Sequence, residues 1–389
     1  MRIIINEIKK LLNLKSMLMI TAIFFIIWSL FIGSSYIEYF PQGLPELPHF
    51  NLSEKMLKEY GETIDQEEWE SFVSDTKELE READEYLQND NEAKDIGITS
   101  YREFIEKFEK GFTSETEYKD EVDKLHSRIM FQEENYLFWE LENREYLIDR
   151  YSQKEVWLSH RAFENNEKQM ARIREVIESE DSDSVFNFAV FRNYNSIIGY
   201  FAIIVIITVS FAVSPIFIDD EKFKTNYLQY SSNIGRKLAG KKVIASMISS
   251  FLVTTVEIIA LLIMYSKNNS FQFWNCSING IFSDVTSWFD ITFGQYIILT
   301  IVILYILTFI VSSISIYVST KAKTYIALIG IQLPVLFIIC AFVMAVGINE
   351  VTYVLFPKYL LHIIYGVLII ISSIMIFKVI NEEKFKDIA

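Results

Sequence analysis

Few residues of this chain could do chemistry. Residues 235–242, GRKLAGKK, fall one position short of the phosphate-loop pattern GxxxxGK[ST], because Lys242 stands where a hydroxyl would hold Mg²⁺. That pattern needs a buried strand before it and a helix after it, so that backbone N–H groups aim at the phosphates. The preceding residues, NYLQYSSN, are polar, so no nucleotide site is expected here. The glycines instead let the chain turn, and the lysines are read as anchors beside anionic headgroups. Glu257 lies inside a long apolar run. A carboxylate in a bilayer is costly, so it must face a bundle interior or water. A functional role and a structural one, paired or protonated, are both open for it.

The rest of the inventory is sparse. Of the four histidines, His49, His126 and His160 share an acidic segment without metal-ligand spacing. His362 lies near the start of the last apolar run, at its outer end, and reads as interfacial; against a proton relay stands the lack of any intramembrane acid besides Glu257 to pass a proton. No nucleophile–base set is evident. The acidic clusters 65–68 and 78–85 lack the form of a calcium loop and read as solvated helix surface, with support such as Glu106 four residues before Lys110. Cys276 and Cys340 lie outside the acidic segment, which must therefore fold without disulfides or a cysteine-based metal site. No catalytic, cofactor-binding or metal-binding residue is expected, and nothing suggests nucleic acid as a partner.

The charge distribution shows what must position these residues. Residues 36–195 hold 40 of the 51 acidic and 19 of the 36 basic residues, a balance of −21, whereas the whole chain carries −15. The remainder is near +6 and strongly apolar. This asymmetry predicts a water-soluble domain attached to a membrane domain. In the acidic segment, Trp69, Phe72, Val73, Leu79, Ala83, Tyr86 and Leu87 recur at helical steps. Tyr118, Val122, Leu125 and Ile129 repeat the pattern, as do Phe163, Met170, Ile173 and Ile177. Gly and Pro are scarce after the Pro-rich boundary at 41–48, so a helical bundle with long antiparallel helices is expected.

Around it lie six runs long enough to cross a bilayer core of about 20 residues: 17–35, 197–218, 243–265, 296–318, 325–347 and 359–377. Residues 1–15 form an amphipathic helix suited to the headgroup region, with Ile4, Ile8, Leu11 and Leu12 on one face. The rival for 17–35 is a signal peptide with Gly33 and Ser35 at its cleavage site. Its apolar run is longer than usual for that class. The fold class is thus an all-α polytopic membrane protein with six spans and a helical domain between the first two.

Short-loop lysines and arginines orient it. Arg2, Lys9, Lys10 and Lys15 precede the first span, and six basic residues lie in 219–242. Lys321 and Lys323 follow the fourth span, and Lys378, Lys384 and Lys386 lie at the C-terminus. The other side offers Lys267 and Lys358 outside the large domain. Both termini and 219–242 are expected to be cytoplasmic, in the cell membrane, with 36–195 extracellular. In 271–293, Phe273, Trp274, Ile278, Ile281, Phe282, Val285, Trp288 and Phe289 stand at helical spacing. A helix on the outer leaflet is expected, either an aromatic cap anchored by Trp274, Trp288 and Phe289 or a substrate gate.

This layout resembles the permease subunit of type 2 ABC exporters, through its six spans, its amphipathic N-terminal helix and the chemistry of 219–242. That stretch runs from Asp220–Glu221 through a polar segment, 227–232, to Gly235–Arg236 and Lys241–Lys242. The resemblance implies that a short polar helix, about 222–232, docks on a separate ATPase subunit. Asp220, Glu221, Lys222, Tyr227, Gln229, Arg236 and Lys237 would couple the two. ATP and Mg²⁺ would then sit on that partner, this chain would not itself be an enzyme, and a second copy or paralogue would complete the pathway. An amphipathic substrate such as a peptide, bacteriocin, drug or lipid-like molecule is implied, and the negative outer domain would suit a cationic one. The outer domain is larger than in the shortest members of the family and is similar to Gram-positive permeases. The resemblance also implies a re-entrant helix before the last span, for which 348–358 is the candidate. A non-transporting receptor or scaffold of a secretion apparatus is the second reading, and a proton- or ion-coupled secondary transporter the third. The third is weakened by the scarcity of intramembrane charge and of any evident repeat.

Overall fold

The computed structural model of the chain describes residues 1–113, 119–222, 235 and 238–385. Helices make up about 81% of it, and the extended pairings among the described residues are isolated bridges such as Thr63 with Ser184, so the fold is all-α. Six helices are long and apolar enough to cross a membrane: Leu14–Glu38, Phe188–Asp220, Leu238–Asn268, Phe293–Lys321, Tyr325–Gly347 and Leu360–Lys384. These are the first to sixth spans, and the chain has the build of a multi-pass membrane protein.

The chain divides into two compact units. The first comprises Met1–Phe40, Phe191–Trp274 and Ser287–Ala389. Its N-terminal helix, Arg2–Leu11, ends where Asn13 caps the next helix by accepting from the Ser16 N–H. Small residues let the middle spans approach closely, as membrane helices require. Ser246, Ser249, Ser250 and Thr254 of the third span are buried, as are Thr308, Ser312, Ser313 and Ser315 of the fourth. Polar side chains join the spans: Thr254 bonds Thr308 at 2.8 Å, and the Gln332 amide of the fifth span reaches Ser315 at 2.7 Å, while its carbonyl accepts from Ser214 at 2.9 Å. The fifth and sixth spans are mostly uncovered, with Ile326, Leu333, Phe337, Ile370 and Phe377 exposed.

The second unit is Pro41–Val190 with Asn275–Thr286. Its longest helix, Gln66–Asn89, opens with a full capping box between Asp65 and Glu68. Its apolar stripe is buried at Trp69, Phe72, Ala83 and Leu87, as the spacing predicts. Val122, Leu125 and Ile129 join that stripe in the core around Phe104 and Phe138, and Tyr118 lies outside the described residues. Ile173 is buried on helix Glu167–Glu178, but Phe163 is exposed, because it precedes the helix rather than belonging to its face.

Two expected helices are absent. Residues 275–292 are turns, and 275–286 are built into the second unit rather than forming an amphipathic surface helix. Ile278, Ile281 and Phe282 are buried there. Arg161 holds the segment by donating to the carbonyls of Gly280 at 3.1 Å, Ile281 at 2.8 Å, Val285 at 3.1 Å, and Ser283. Gly280 packs so closely on Ser184 that a Cβ would stand 2.6 Å from the Ser184 carbonyl oxygen. Three- and four-residue apolar spacing marks burial on one side, and turns gripped by a guanidinium satisfy it as well as a helix does. Residues 348–358 are likewise turns, with Ile348, Val351 and Val354 buried, and form no re-entrant helix.

Candidate functional site

Both charged features of interest lie in the first unit. One is an ion cluster at the ends of the 219–242 stretch. The second span closes with Asp219 and Asp220, and the third begins just before Lys242. Asp220 is 8% exposed and Lys242 only 2%, and their side chains pair directly. The other Asp220 oxygen takes Lys10 of the N-terminal helix at 3.0 Å. Lys242 also donates to the Ile216 carbonyl at 3.3 Å and lies 5.1 Å from the Phe217 ring centre. Glu7 and Glu383 add negative charge around it. Lys242 is thus an internal ion-pair partner and not the headgroup anchor its position suggested. An amphipathic helix side chain, the end of one span and the start of the next meet in one charge cluster. The neighbouring Asp219 accepts a bond from the Tyr325 hydroxyl at the start of the fifth span.

Of the residues expected to couple to an ATPase, Asp220 is therefore turned inward and engaged within the chain. Glu221 and Lys222 complete helix Pro215–Lys222. Tyr227, Gln229, Arg236, Lys237 and the polar segment around them lie outside the described residues.

The other feature is Glu257, about one and a half turns past the middle of helix Leu238–Tyr265. It is 5% exposed. Its Oε2 lies 3.1 Å from the Thr208 hydroxyl of the second span, whose single proton also has the Ile204 carbonyl within reach at 2.8 Å. Its Oε1 is buried and has no hydrogen-bond partner. Glu257 also lines a cavity of about 410 Å³ between the first and third spans. Leu12, Met17, Ile20, Thr21, Phe24, Phe25, Leu252, Val253, Val256 and Ala260 form the rest of its wall. Glu257 was legible as a costly carboxylate. The cavity was not, because its walls come from helices far apart in sequence.

The three expected interfacial aromatics are integrated into the first unit at its opposite end. Trp274 packs on Gly294, where a Cβ would stand 2.2 Å from the indole. The Trp288 indole N–H donates to the Phe356 carbonyl at 2.7 Å, and Phe289 lies against His362 and under Lys358. His362 itself is exposed. Nearby, Asn268 donates to the Tyr36 carbonyl at 2.8 Å and to Asn193 at 2.9 Å, tying the ends of the first three spans. Outside the spans, burial raises the Glu350 carboxyl above its ordinary range.

No group of three or more metal-binding side chains occurs among the described residues. Compared with known proteins, the chain matches no family model, no curated protein and no solved structure.

Proposed function

We propose that this chain is the membrane permease of an ATP-driven exporter, moving an amphipathic substrate outward while a separate ATPase subunit hydrolyses ATP. The observation that carries the reading is the Lys10–Asp220–Lys242 cluster. A basic stretch that receives force is useful only if its ends are rigidly tied to the spans. Here Asp220 links both flanks of 219–242 to each other and to the N-terminal helix, so a displacement of the stretch is delivered to the second and third spans together. In this reading the stretch and both termini face the cytoplasm, 36–195 lie outside, and Arg236 and Lys237 meet the ATPase. The uncovered apolar faces of the fifth and sixth spans are left for the bilayer or a second permease copy.

The test is affinity purification of the tagged chain from its native membrane, followed by an ATPase assay on the eluate. Co-elution of a nucleotide-hydrolysing subunit in stoichiometric amount is expected. Recovery of the chain alone from gently solubilised membranes, with no ATPase activity, would favour a scaffold.

A further inference from the structure

The cavity beside Glu257 is a site in its own right. Its walls are almost wholly apolar, with Ile20, Phe24 and Phe25 on one side and Val253, Val256 and Ala260 on the other. Val256 and Phe25 are 66% and 55% exposed, so the mouth of the groove is rimmed by exposed apolar side chains of two spans. A volume of about 410 Å³ is in the range of small-molecule sites. An acyl chain alone would fill such a groove without needing a carboxylate in its wall. A carboxylate that is nine-tenths buried, with one oxygen lacking any donor, is costly unless a cation or donor completes it.

We infer that this groove binds an amphiphilic monovalent cation, its hydrocarbon body lying between Phe24, Phe25, Val253 and Val256 and its ammonium head against Glu257 Oε1. The match is one of charge and polarity together. The cation brings with it the condition for Glu257 to ionise, the carboxylate then supplies the single negative charge, the low-dielectric surroundings strengthen its attraction to a desolvated cation, and the apolar walls take the remaining surface. Access is from the bilayer, which such molecules enter readily. The site does not depend on any ATPase, so it stands or falls separately from the exporter reading.

The experiment is photolabelling of the full chain in phosphatidylcholine nanodiscs with two alkyl-diazirine probes of equal chain length. One carries a trimethylammonium head and the other an alcohol. Labelled peptides are mapped by mass spectrometry. The cationic probe should label 17–25 and 252–260 saturably and at least tenfold more strongly than the alcohol. Glu257→Gln should remove that preference and leave the weak alcohol labelling unchanged. Val256→Trp, which keeps the carboxylate but fills the groove, should reduce labelling by both probes and covers the case in which the Gln variant does not fold. Equal labelling by the two probes in the wild type overturns the inference. So does a cation preference that survives Glu257→Gln, or undiminished labelling of a folded Val256→Trp protein.

Discussion

Asp220 and Glu257 are both carboxylates buried in the same unit, and they are treated in opposite ways. Asp220 has a lysine on each oxygen, one of them fully buried with it. Glu257 has at most one shared hydroxyl and an oxygen with no partner, and it lines an apolar groove. Taking a charge out of water costs several kcal/mol or so unless it is paired with good geometry. The first acid meets that requirement within the chain, so its role is to hold three helices together. The second does not, and its one tie between the second and third spans is a hydroxyl that a backbone carbonyl also competes for. A buried charge with all its partners is architecture, whereas one left half-satisfied beside a cavity is available for a ligand.

Removing one member of each group should separate the two most strongly. Lys242→Met takes from Asp220 the partner buried beside it, so stability of the first unit should fall by about 3–5 kcal/mol. Thermal melting in mild detergent, followed by Trp28, Trp274 and Trp288 fluorescence, measures this. The double variant Asp220→Leu/Lys242→Met removes both buried charges and should recover most of the loss, since apolar replacement of a complete buried pair is often close to neutral.

A third buried group, in the second unit, extends the contrast to one that stays neutral. His49 is 4% exposed between Phe188 and Tyr146, and its Nδ1 accepts a bond from the Asn187 amide at 2.9 Å. Burial first, and then the Arg150 charge, lower its pKa from 6.5 to about 4. The unfolded chain therefore binds more protons between these values. Stability is fully present above pH 6.5 and is lost as pH falls toward 4, by up to about 3 kcal/mol from this group alone. Urea unfolding of the second unit at pH 7 and pH 4.5, read by Trp69 and Trp139, should show a drop that His49→Gln flattens.

The smallest effect belongs to Glu257. Glu257→Gln keeps the shape and the Thr208 contact and removes an ionisable group that no cation in the described residues pairs. Its melting should move by less than about 1 kcal/mol, in either direction. A loss as large as that of Lys242→Met would show that the two acids do the same work and would erase the distinction.

The six spans were legible because about 20 apolar residues in a row admit few other structures. The stripe through Trp69, Phe72, Ala83 and Leu87 was legible because a long amphipathic helix has one solution for its buried face. Glu257 stood out by its cost alone. The pairing of Asp220 with Lys242 did not, since a lysine beside a glycine-rich turn reads as solvated until the neighbouring helix closes over it. The spacing in 271–293 reads as a surface helix, whereas the partner that organises 275–286, Arg161, lies more than a hundred residues away and leaves no local signal. The spacing of Phe163 continues the stripe of Met170 and Ile173, but the helix begins only at Glu167 and leaves Phe163 exposed.

The most direct measurement concerns 219–242 itself. The chain carrying Arg236→Glu and Lys237→Glu should melt at the wild-type temperature, keep its Lys10–Asp220–Lys242 cluster, and lose the co-eluting ATPase activity. If the charge-reversed chain retains a stoichiometric ATPase partner with undiminished activity, 219–242 is not where force enters, and the proposed coupling is wrong.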